Sequence, residues 1–112
     1  MSRTCWQTVL LAVSLSLPAA VLAHGTRGIT VGGIGAICAR ATYDDKSPMS
    51  YAATEIFSPA DEKLPFQTGR TDRNGFFCFQ PDTPGDWKVT IKDEMGHMVR
   101  LNPHVSADMI VK

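Results

Sequence analysis

Asp86-Trp87-Lys88-Val89-Thr90-Ile91-Lys92 sets large apolar residues at every second position, with polar residues between them. That is the period of a β-strand with one face in a core and the other in water. Trp87, Val89 and Ile91 are expected to point inward, and Lys88, Thr90 and Lys92 outward. Around this stretch the chain is punctuated throughout: short runs of β-formers alternate with turn residues, and no long run has helical periodicity. Strands are expected at 27–31, 36–43, 49–57, 66–71, 76–80, 87–92 and 97–101, with a candidate last strand at 105–111. The spacing predicts an all-β fold, a small antiparallel β-sandwich of about seven strands. Asn74-Gly75 between two β runs predicts a hairpin turn. Phe77 and Phe79 are expected on the core beside Trp87. By the same parity Cys78 faces outward, and Cys38 shares an outward face with Arg40 and Thr42.

The first 23 residues read as an export signal. Arg3 supplies a short positive region, Thr8 to Leu17 an apolar run, and Val21-Leu22-Ala23 a cleavage site after Ala23. The apolar run is shorter than the roughly 20 residues of a membrane span. The expected organisation is a cleavable signal peptide at 1–23 and one β-sandwich domain at 24–112. The full chain carries 11 basic and 11 acidic residues, and removal of Arg3 tips the domain slightly acidic. No basic patch for nucleic acid or polybasic membrane segment is present. Two of the three cysteines survive cleavage, Cys38 and Cys78. In an oxidising compartment an isolated pair reads first as one disulfide, and a loop of this size would stabilise by roughly 3–4 kcal/mol. Neither cysteine has the CxxC partner of a thiolate metal site.

Three segments carry a resemblance: Pro48-Met49-Ser50-Tyr51-Ala52, Thr68-Gly69-Arg70-Thr71-Asp72-Arg73-Asn74-Gly75-Phe76-Phe77, and Pro84-Gly85-Asp86-Trp87-Lys88-Val89. Together they resemble the carboxypeptidase regulatory-like, transthyretin-like β-sandwich. A narrower likeness adds His24-Gly25, Tyr43-Asp44-Asp45, Leu64-Pro65-Phe66-Gln67 and Met95-Gly96-His97. With these the chain is similar to the NikL-like and CbiL-like periplasmic components of energy-coupling nickel/cobalt transport systems. That resemblance implies a periplasmic protein presenting Ni²⁺ or Co²⁺ to the membrane permease of an uptake transporter. Cys38 and Cys78 depart from the pattern, as do Lys46 and Ser47, which replace a glycine-containing turn.

The candidate site begins with His24. After cleavage it carries a free α-amino group beside its imidazole, and the two nitrogens can chelate one ion. Such nitrogen donors suit Ni²⁺, Co²⁺ and Cu²⁺. Binding requires loss of the ammonium proton, so affinity should fall below about pH 7–8. His97, after a glycine turn, is the second metal candidate, and His104 the weaker third. Met95 and Met98 flank His97; they read as core filler more readily than as ligands. Asp44 and Asp45 read as turn residues capping their own backbone.

Four functions compete on these residues. They are a nickel/cobalt accessory protein, a passive β-sandwich interaction module, a periplasmic copper-binding protein using its N-terminal histidine, and a copper oxygenase. An enzyme is not expected, because no Ser/His/Asp, Cys/His or paired-carboxylate constellation stands out. No small organic substrate or DNA partner is expected either.

Overall fold

Among residues 25–111, which the computed structural model describes, nine strands follow one another. They are β1 (Thr26–Gly32), β2 (Ile37–Tyr43), β3 (Ala53–Phe57), β4 (Gln67–Arg70), β5 (Phe76–Phe79), β6 (Gly85–Asp86), β7 (Lys88–Lys92), β8 (Met98–Leu101) and β9 (His104–Val105). The expected signal peptide at 1–23 and His24 lie outside the described residues. Every pairing is antiparallel. One sheet runs β1-β2-β5, a second β4-β3-β7-β8, and a two-stranded ladder joins β6 to β9. The molecule is thus a small all-β domain of several antiparallel sheets. Seven strands build the two larger sheets; the short β6–β9 ladder has no counterpart in the sequence reading.

The alternation at 87–92 works as expected. Trp87, Val89 and Ile91 are fully buried, and Ile37, Ala39 and Ala41 from β2, Ile56 from β3, Phe79 from β5 and Val99 from β8 join them in one cluster. The inner faces of the two larger sheets therefore share a core, a sandwich-like arrangement. Trp87 anchors it. Its indole packs against Phe79, tilted by 37° with centroids 5.3 Å apart, and meets Phe66 edge-on at 4.8 Å. Its Nε1 donates to the Thr83 carbonyl at 2.9 Å, which satisfies the polar atom of an otherwise apolar burial. At one side of the core β1 comes against β8: a Cβ added to Gly28 would lie 2.3 Å from Val99 Cγ1. Only hydrogen fits there.

Three expectations are corrected. The Asn74-Gly75 turn forms, but β4 and β5 do not pair with each other. β4 lies on β3 and β5 on β2, so the turn carries the chain from one sheet to the other. Asp72 Oδ1 accepts from the amides of Asn74 at 2.8 Å and Phe76 at 3.0 Å. Gly75 sits at φ +84, and a Cβ there would lie 2.5 Å from the Ala41 carbonyl oxygen. Close docking on β2, rather than a two-strand ribbon, selects this glycine.

The third strand begins at Ala53, not at 49. The buried Thr71 hydroxyl donates to the Met49 carbonyl at 2.6 Å and accepts from the Ala52 amide at 2.8 Å. These bonds hold 49–52 as a turn, with Tyr51 at φ 54. Of the segment expected as a last strand at 105–111, only Val105 belongs to a strand, β9. A 3₁₀ turn, Ala107–Met109, follows, and the Met109 carbonyl accepts from the Gly35 amide at 2.9 Å.

Candidate functional site

The β7–β8 connection is a tight turn organised by Asp93. Its Oδ1 accepts from the amides of Met95 and His97, each at 2.9 Å, and the Asp93 amide donates to the His97 carbonyl at 3.0 Å. An Asx-type turn of this kind lets aspartate replace missing backbone partners. The second carboxylate oxygen does different work. Oδ2 lies 2.9 Å from His97 Nδ1 and accepts from the Tyr43 hydroxyl at 2.5 Å. Tyr43, at the end of β2, meets the His97 ring edge-on at 5.4 Å between centroids. Histidine, carboxylate and phenol thus form one partly buried cluster.

Charge in this cluster is set by those bonds. Burial works against the ionised form of Asp93, yet the bonds from the Tyr43 hydroxyl, the His97 amide and ring and the Met95 amide outweigh it. Its pKa is brought down to about 2. The bond to Asp93, together with burial and the nearby negative charge, pushes Tyr43 up to about 12. Asp93 is therefore an anion and Tyr43 a neutral phenol throughout the physiological range. A neutral imidazole that gives its Nδ1 proton to a carboxylate carries its lone pair on Nε2. This is the arrangement that orients and strengthens histidine as a metal donor.

The start of β1 reaches the same end of the domain. The Gly25 amide donates to Asp44 Oδ2 at 2.7 Å, and its carbonyl accepts from the Asp44 amide at 3.0 Å. Thr26 pairs with Tyr43 across β1 and β2, and its hydroxyl donates to the Met98 carbonyl at 2.9 Å. Asp44 thus binds the chain next to His24, beyond the self-capping expected of it. Asp45 does cap its own turn: its Oδ1 accepts from the Ser47 amide at 2.9 Å and hydroxyl at 2.6 Å.

The remaining candidates lie apart from this cluster or outside it. His104 is on the β6–β9 ladder, where Nδ1 lies 2.7 Å from Asp86 Oδ1 and both side chains are exposed. Met95 is 82% exposed at the turn, so it is not core filler. Met98 is half-buried, and its sulfur accepts from Arg100 Nε at 3.1 Å. Cys38 and Cys78 are bonded to each other, as expected of an isolated pair. Among the described residues no group of three His, Cys, Asp or Glu side chains is arranged to hold a metal ion. Among them, too, no helix is long and apolar enough to cross a membrane.

Reading the sequence singled out His97 but missed its two partners. Asp93, four residues before His97 across a glycine turn, is a local signal that could have been read. Tyr43 is 50 positions from Asp93, and no local pattern connects them. No protein-family model matches the chain, and no curated protein or solved structure does so. The likeness to nickel/cobalt transport components therefore rests on the motifs of the chain, beside an all-β architecture common to many functions.

Proposed function

We propose that the protein is a periplasmic metal-binding accessory protein that presents Ni²⁺ or Co²⁺ to the membrane permease of an uptake transporter. The observation that carries this reading is the carboxylate-held His97 at the end of the domain where β1 starts. Gly25, anchored there through Asp44, is one peptide step from His24, and consecutive Cα atoms are about 3.8 Å apart. On this reading export and cleavage create the chelate. The α-amine and imidazole of His24 take the ion, and Nε2 of His97 completes a nitrogen set. Asp93 and Tyr43 position His97 without touching the metal.

A site of two or three nitrogens suits a carrier, because cargo must be released as well as held. Calorimetric titration of Ni²⁺, Co²⁺ and Cu²⁺ into the protein beginning at His24 tests the reading. Two controls are needed, His24→Ala and a form with one residue added before His24. The reading requires binding that both controls abolish, and a weakening by roughly 10–100-fold in Asp93→Asn. Binding that survives both controls, or no binding at all, overturns it and leaves the passive interaction module. A copper-handling protein would bind Cu²⁺ in titrations where Ni²⁺ and Co²⁺, each added alone, show no binding that both controls abolish.

A further inference from the structure

We propose that Cys38–Cys78 is a reversible redox site, opened by thiol–disulfide exchange with a dithiol donor that attacks Cys78 on the folded protein. It is independent of the metal reading. Two features of its placement carry the inference.

The two cysteines face each other directly across β2 and β5, in a ladder that also pairs Ile37 with Phe79, Ala39 with Phe77 and Arg40 with Phe76. The bond therefore joins strands already held together, on the face opposite the core. Ile37, Ala39 and Phe79 fill the core from neighbouring positions, so opening the bond removes nothing from it. The Cα atoms are 3.9 Å apart, closer than the roughly 4.5 Å of a non-hydrogen-bonded antiparallel pair.

The second feature is access. Cys78 is exposed and Cys38 half-buried. Cys78 borders an open depression of about 550 Å³ lined by Gly35, Ala36, Gln67 and Gln80. Exposed Ile29 and Val31 lie on the neighbouring edge strand, Val31 directly opposite Cys38. An incoming thiol thus meets an open sulfur with apolar surface beside it.

The exchange is a two-electron step. A donor thiolate attacks Cys78 Sγ and forms a mixed disulfide, while Cys38 Sγ leaves as a thiolate and takes up a proton. The donor's second thiolate then attacks its own sulfur in that mixed disulfide. Cys78 departs, is protonated, and the donor keeps the new disulfide. Two electrons and two protons pass from donor to chain.

The test uses the oxidised, exported protein with dithiothreitol, quenched over time by iodoacetamide and read by mass spectrometry beside far-ultraviolet circular dichroism. Both cysteines should become alkylated with the β-sheet signal unchanged. The rate should lie within about tenfold of that for the same protein unfolded in urea. With glutathione, a monothiol, the trapped adduct should map to Cys78. Reduction slower than in urea by about a thousandfold, alkylation only as the sheet signal collapses, or an adduct on Cys38 would each overturn the proposal.

Discussion

Asp93→Asn isolates the charge that holds His97. Asparagine keeps an oxygen for the Met95 and His97 amides, so the turn can still close. It replaces the oxygen facing Tyr43 and His97 Nδ1 with an amide donor, and it removes the charge. A fall in pKa from the ordinary 3.8 to about 2, at about 1.36 kcal/mol for each pH unit, corresponds to roughly 2.4 kcal/mol. Asp93 retains 15% of its side-chain exposure, and solvent screening trims the figure to about 1–2 kcal/mol. A carboxylate with a depressed pKa contributes its full stability above the ordinary value and loses it as pH falls through about 2. Tyr43, raised to about 12, marks the alkaline limit. Its contribution is full below the ordinary 10 and is lost as pH rises toward 12. The two share the Tyr43–Asp93 hydrogen bond and are not added.

Urea denaturation followed by Trp87 fluorescence measures the effect, since Trp6 lies in the expected leader. At pH 7 the variant should be less stable by about 1–2 kcal/mol, a midpoint shift of about 1 M urea. At pH 2 more than half of that difference should vanish, because the native carboxylate, with its pKa of about 2, is then about half protonated and the unfolded one almost fully so. An equal difference at both pH values would refute the electrostatic account and leave turn geometry as the cause.

Thr71→Val replaces a buried hydroxyl with a methyl group, stranding the Met49 carbonyl and the Ala52 amide. It should cost about 2–3 kcal/mol in thermal or urea unfolding, while Thr71→Ser stays close to wild type. Gly28→Ala places a methyl 2.3 Å from Val99 Cγ1 and 3.0 Å from Leu101 Cδ2. It should destabilise by about 1–3 kcal/mol, with faster amide exchange along β1. Lys46 holds φ 73 in the turn after β2, where glycine meets no steric penalty. Lys46→Gly should be neutral or stabilising by up to about 1 kcal/mol, against the usual loss on introducing glycine. A clear loss would show that the lysine side chain matters there.

The strands with strict alternation were legible in the sequence because burial on one face leaves a two-residue period in the residues themselves. Residues 87–92 show this most fully, and the outward parity of Cys38 and Cys78 follows from the same rule. The paired cysteines were legible for another reason: once the expected leader is set aside, each has only the other. The Asn74-Gly75 turn was read correctly as a turn and wrongly as a hairpin. Local chemistry specifies how tightly the chain reverses, but not which strands then pair. The break at 49–52 was invisible because Thr71, which holds it, lies about twenty positions away.

For the site, the residues determined that His97 follows a glycine turn, and His24 at the head of an exported chain is an expectation of the sequence. They also placed Asp93 where it could organise the turn before His97. Only the tertiary structure decided that Tyr43 joins Asp93 and His97, that Asp44 and Thr26 bring the start of β1 to the same end, and that His104 belongs to a different ladder. Periodicity and turn chemistry act over a few residues, so a sequence displays them directly. Which ends of which strands meet depends on how two twisted sheets pack around Trp87, and that is a property of the whole chain.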